Sequence, residues 1–91
     1  MGGPDFPSMR GRELLRHLQR QPLSYTEGPS KGSGGSHRLL TSDQFPTLLF
    51  AFHDGAEIPP GLVRKIFTKD IGLTKDEALK HLRGDLQWPR S

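Results

Sequence analysis

The stretch Glu27 to Gly35, Glu-Gly-Pro-Ser-Lys-Gly-Ser-Gly-Gly, constrains this chain more than any other feature. Its glycines and Pro29 sustain neither a helix nor a central strand, so the stretch is a loop. Before it, Leu14, Leu15 and Leu18 form one apolar stripe, and the spacing predicts a helix over 12–20 opened by Ser8 or Gly11. Pro22 stops that helix, because the residue before a proline is pushed out of helical geometry. Leu23-Ser-Tyr-Thr26 then alternates apolar and polar, as a short strand does. After the loop, 36–42 reads as a second strand, with His37, Leu39 and Thr41 on one face and Arg38 and Leu40 on the other.

Asp43-Gln-Phe-Pro46 is a turn into a third strand, 47–52. Leu48, Phe50 and Phe52 share one face of it, and Leu49 and Ala51 the other. The loop 54–57 leads to a helix over 60–70, with Pro60 in its first turn and Gly72 as its stop. Leu62, Val63, Ile66, Phe67 and Ile71 are its apolar stripe. Thr74-Lys-Asp-Glu77 is a capping box, with Leu73 and Ala78 as the accompanying staple. It opens a short third helix over 75–83, with Leu79 and Leu82 inward and Gly84 behind. The order helix, three strands, helix, helix predicts an α+β fold: a three-stranded antiparallel sheet with helices on one face. Leu14, Leu18, Leu40, Phe50, Ile66 and Phe67 are its expected core.

A chain of 91 residues holds one domain. The expected limits are a loose segment 1–8, a domain 9–83 and a loose tail 84–91. Roughly 75 folded residues is close to the size at which one core is only marginally sufficient. Chemistry is therefore expected on a surface or shallow groove. The absence of cysteine excludes disulfides and thiolate metal sites, and suits a reducing cytoplasm. No apolar run approaches the ~20 residues that span a bilayer, and the first residues lack the apolar stretch of a secretion signal. The expected location is cytoplasmic, with no membrane partner. A formal net charge of +3 permits an anionic partner without selecting one.

Four histidines are the candidates for proton chemistry. His37 stands where the Gly/Ser loop meets a strand, and His53 ends the third strand. His17 and His81 lie on helices and are expected to face solvent. His37 and His53 lack cysteine or spaced carboxylate partners, so neither a metal nor another cofactor is expected. Gly32 to Gly35 lacks the spacing of a nucleotide phosphate loop. By spacing alone, His37 reads as a solvated strand-start residue sooner than as a catalyst.

Three segments, in this order, resemble the HicA toxins: Gly35-Ser36-His37, Glu57-Ile-Pro-Pro-Gly-Leu-Val-Arg-Lys-Ile66 and Ile71-Gly-Leu-Thr-Lys-Asp-Glu77. The resemblance covers about Arg10 to Leu82. It implies a double-stranded-RNA-binding-domain-like αβββα fold with a short extra C-terminal helix. It also implies a type II toxin–antitoxin toxin, an endoribonuclease that cuts mRNA without a metal and is neutralised by a HicB-like antitoxin. His37 falls on the family's catalytic histidine, and His53 where members often carry a histidine. Asp43-Gln-Phe-Pro46 replaces the Pro-Asp-Gly type turn usual between strands two and three.

RNA supplies its own nucleophile, the 2′-OH. Metal-free cleavage then needs a base for that proton, an acid for the leaving 5′-oxygen and positive charge near the phosphate. Histidine suits such transfers near neutral pH. His53 and Ser36 join His37 as candidates for catalysis or substrate contact. Lys31, Arg38, Arg64 and Lys65 can meet phosphates. The backbone N–H groups of Gly34 and Gly35 can form an anion nest, with Gly35 allowing close approach. Arg64, Lys65 and Lys69 read equally well as the wet side of a helix. Two alternatives remain at this level: a non-catalytic RNA-binding module of the same fold, and a protein-interaction domain whose basic face docks an acidic partner.

Overall fold

Gly11 lacks a side chain where the first helix meets the rest of the chain, and that contact organises the architecture. In a computed structural model, which describes residues 6–27 and 37–88 (His37 by its backbone), a two-residue strand β1 (Met9–Arg10) runs directly into helix α1 (Gly11–Gln19). A Cβ on Gly11 would stand 2.0 Å from the His53 carbonyl oxygen. The backbone N–H groups of Gly11 and Arg12 instead donate to the carbonyls of Ala56 (2.8 Å) and Asp54 (3.1 Å). Donors that a helix start leaves unpaired are thus satisfied by the turn that follows the strand Leu48–Ala51. Leu14 and Leu18, one turn apart, are fully buried beneath α1.

The sheet is antiparallel and three-stranded: β2 (Thr26–Glu27), β3 (His37–Thr41) and β4 (Leu48–Ala51), in that spatial order. β3 and β4 pair His37 with Ala51, Arg38 with Phe50, Leu39 with Leu49, and Leu40 with Leu48. The period-2 alternation gives the two faces. Leu40, Leu48 and Phe50 are buried, whereas Leu39, Thr41, Leu49 and Ala51 are exposed. A second, two-stranded pair joins β1 to β5 (Glu57–Ile58), with Met9 opposite Ile58, and sequence patterning did not anticipate it.

The first strand is shorter and later than 23–26. Leu23 and Tyr25 are buried, but the Ser24 N–H donates to the Arg20 carbonyl and the Tyr25 N–H to that of Leu18. These residues close the end of α1 instead of joining the sheet, and Ser24 takes a positive φ of 51° to do so. The Tyr25 hydroxyl donates to the Pro46 carbonyl at 2.6 Å. Burial pushes its pKa up to about 12, so it stays a neutral donor.

The second helix starts at the expected Pro60 but changes pitch. α2 (Pro60–Lys65) widens into a π-helical stretch, Ile66–Ile71, in which residues five apart share a side. Ile66, Phe67 and Ile71 are all buried there, and Gly72 ends it in the left-handed region (φ 97°). α3 (Lys75–Arg83) carries the expected cap: the Glu77 N–H donates to Thr74 Oγ1 (3.1 Å) and the Thr74 N–H to the Glu77 carboxylate (2.9 Å). All six expected core residues are buried. The packed region also extends past the expected limits of 9 and 83. Phe6 is buried, Leu86 and Trp88 pack on the core, and the Trp88 ring lies 4.9 Å from that of Phe45.

Candidate nucleic-acid interface

One end of the β3–β4 pair brings two of the candidate residues, His37 and His53, together. β3 opens at His37, whose backbone pairs with Ala51 of β4, and β4 leaves the sheet toward His53. Directly opposed Cα atoms lie ~5 Å apart and two residues span at most ~7 Å, so the Cα atoms of His37 and His53 are within roughly 13 Å. The chain reverses immediately after His53, where the Ala56 N–H donates to the His53 carbonyl at 3.0 Å. The same carbonyl faces Gly11. His53 therefore has a fixed backbone and an exposed side chain.

Arg38 lies beside this end, but it is not a bare cation. Its guanidinium spans Glu27 on β2 (3.4 Å) and Asp54 (3.6 Å). Such part-exposed pairs contribute little stability, and their main effect here is to offset the charge of the guanidinium. Arg64 and Lys65 are exposed on α2, with Lys65 3.7 Å from Asp70. No hydrogen bond or ion pair among the described residues joins them to the His37–His53 end. Lys31, Gly34, Gly35 and Ser36, expected at phosphate or catalytic positions, lie outside the described residues, as does the side chain of His37.

His81 is not solvated as expected: it is 1 % exposed, the one buried polar or charged residue among those described. Its Nε2 meets the His17 carbonyl oxygen at 2.5 Å, and the Arg20 guanidinium donates to the His81 carbonyl. These contacts join the end of α1 to the end of α3. His17 is half-buried, its ring 6.4 Å from that of His81, and its Nδ1 is buried without a partner. Burial lowers the pKa of both, and the Arg20 charge lowers each further. They form a neutral structural joint.

Patterning named Gly11 only as a helix start and did not single out Arg10 and Arg12 as site residues. The Arg10 guanidinium donates to the Gly55 carbonyl (3.1 Å), and its N–H donates to the Glu13 carboxylate (2.8 Å). The four-residue spacing of Arg12, Arg16 and Arg20 was visible in the sequence, whereas the contact of Gly11 with the turn was not. The chain matches no protein-family model, no curated protein and no solved structure.

Proposed function

We propose that this chain is an endoribonuclease toxin similar to the HicA toxins, with a double-stranded-RNA-binding-domain-like fold, and that it cuts mRNA without a metal. One observation carries the reading. Two histidines 16 positions apart in sequence, His37 and His53, come to the same end of one antiparallel strand pair. The helix, three-strand, helix order supports the fold.

In this reading a histidine takes the 2′-OH proton as the oxygen attacks phosphorus. The bond to the 5′-oxygen then breaks, and that oxygen leaves with a proton, giving a cyclic phosphate and a 5′-OH. His37 carries one of these transfers, and His53 or Ser36 assists or contacts the strand. Lys31, Arg38, Arg64 and Lys65, with the N–H groups of Gly34 and Gly35, offset phosphate charge. The partner is a HicB-like antitoxin, and the action is cytoplasmic. Leu39 and Leu49, opposite each other and 54 % and 59 % exposed, support a protein partner on this sheet face.

The test is cleavage of unstructured RNA in EDTA. His37→Ala should lower the rate by at least about a hundredfold, the worth of a positioned proton-transfer group. Stability should move by no more than about 0.5 kcal/mol, and RNA affinity should persist. Cleavage near the parent rate would remove His37 from the mechanism. Tight RNA binding by a parent that cuts nothing would favour the non-catalytic module.

A further inference from the structure

Several cations in the described structure stand beside a carboxylate. Lys65 pairs with Asp70, Lys80 with Asp76, Arg83 with Asp85, and Arg38 with Glu27 and Asp54. The outer face of α1 differs. Arg12, Arg16 and Arg20 recur every fourth residue, all exposed, so they form one row with steps of about 6 Å. The helix has a single carboxylate, Glu13, and it is held by the Arg10 backbone N–H. Among the described residues, neither Arg12 nor Arg16 has an ion-pair partner.

This row works against the helix that carries it. Like charges four residues apart destabilise a helix, and a cation in the first turn opposes the dipole. Arg20 donates to the His81 carbonyl, whereas no side-chain hydrogen bond or ion pair among the described residues offsets that cost at Arg12 and Arg16. A local rule broken without structural gain points to a ligand.

The surface is a shallow cleft lined by Arg10, Arg12, Glu13 and Arg16. It adjoins the His37–His53 end directly, since the start of α1 is bonded to the turn at Asp54, Gly55 and Ala56. The helix N–H groups are occupied there, so recognition falls to the guanidinium groups. Their planar forks match phosphate oxygens two at a time. The exposed positions of α1 are Arg12, Glu13, Arg16 and Gln19, with no apolar anchor of the kind a protein interface or membrane surface uses.

We infer that Arg12 and Arg16, with Arg10 beside them, bind the sugar–phosphate backbone of the RNA strand outside the cleaved bond. This rests on the ribonuclease reading and adds the path of the strand: past His37 and His53, then along α1. The contact is independent of base sequence. Arg12 and Arg16 position substrate and take no part in bond breaking.

The experiment measures affinity for a fully 2′-O-methylated RNA, which lacks the nucleophile, across a range of salt. The variants are R12Q/R16Q, R12K/R16K and Lys69→Gln, the last an exposed cation distant in sequence. R12Q/R16Q should bind about tenfold or more weakly at low salt. Its log K against log salt should be shallower by about 1.4, the loss of two single-strand phosphate contacts. R12K/R16K should recover much of the affinity, and Lys69→Gln should match the parent. On cleavable RNA, R12Q/R16Q should raise KM with kcat nearly unchanged, and its melting temperature should not fall. Parent-like affinity and slope in R12Q/R16Q would overturn the inference and leave the ribonuclease reading standing. A parent that binds no RNA would overturn both. Unchanged RNA binding together with lost binding of an acidic protein would reassign the row to that partner.

Discussion

At the scale of single residues, Gly11 and His53 depend on each other. An alanine in a helix is favoured over glycine by about 1 kcal/mol. At Gly11 that gain is outweighed, because the added Cβ would lie 2.0 Å from the His53 carbonyl oxygen, and backbone yields poorly. Relieving the overlap would stretch the bonds to Ala56 and Asp54. Gly11→Ala should therefore destabilise by about 2–4 kcal/mol, measured by chemical denaturation. Stability equal to the parent would show that the α1 start and the turn are not in contact in solution. His53→Ala removes only an exposed side chain, so melting should be unchanged. Cleavage should fall, but less than for His37→Ala, and a fall equal to or larger than that would make His53 the principal catalyst.

At the scale of elements, the α1–α3 joint carries a pH dependence. Burial holds His17 and His81 below their ordinary 6.5 in the folded chain. The unfolded chain then binds more protons, so stability rises with pH. The contribution is complete above about pH 7 and is lost as pH falls through 6.5 toward the depressed folded values. His81→Leu should leave the His17 carbonyl unpaired and cost about 1–3 kcal/mol near neutral pH. It should also flatten the melting temperature between about pH 7.5 and about pH 5.5, and a slope as steep as the parent's would place the titrating group elsewhere. The β3–β4 pair carries a different prediction. Leu39 and Leu49 meet across the ladder on the exposed face, so L39S/L49S should fold as the parent does. If the proposed antitoxin covers this face, its affinity, measured by calorimetry, should fall by about tenfold or more while the proposed RNA cleavage persists. Unchanged affinity would move the antitoxin to another surface.

At the scale of the whole molecule, a small core is completed from both ends of the chain. Phe6 is buried ahead of β1, and Leu86 and Trp88 return after α3 to pack on the core. The turn that departs from the HicA pattern, Asp43 to Pro46, has a structural role in this arrangement. Phe45 enters the core against Trp88, and the Pro46 carbonyl accepts from buried Tyr25. Trp88→Ala should accordingly cost about 1–3 kcal/mol, less than a fully buried aromatic, with the melting transition remaining cooperative. A variant as stable as the parent would return the segment after Arg83 to the status of a loose tail.

Local chemistry was sufficient for several elements. The Leu14–Leu18 stripe, the alternation through Leu40 and Phe50, Pro60 as a helix start and the Thr74–Glu77 cap each act within a few residues, and each is found where patterning put it. The sequence by itself also singled out His37 and His53 as candidates. Tertiary structure decided what depends on chain segments far apart. Leu23 and Tyr25 look like a strand, but the backbone bonds of Ser24 and Tyr25 go to the end of α1. His81 looks like a surface histidine until a carbonyl 64 residues away takes its ring nitrogen. Arg38 looks like a bare cation until Glu27 and Asp54 stand beside it. Gly11 looks like an ordinary helix start until the His53 carbonyl occupies the space a side chain would need. Residue type and spacing determine a helix stripe or a cap because the interacting groups are neighbours along the chain. A partner's position across the core follows only from the packing of every element at once.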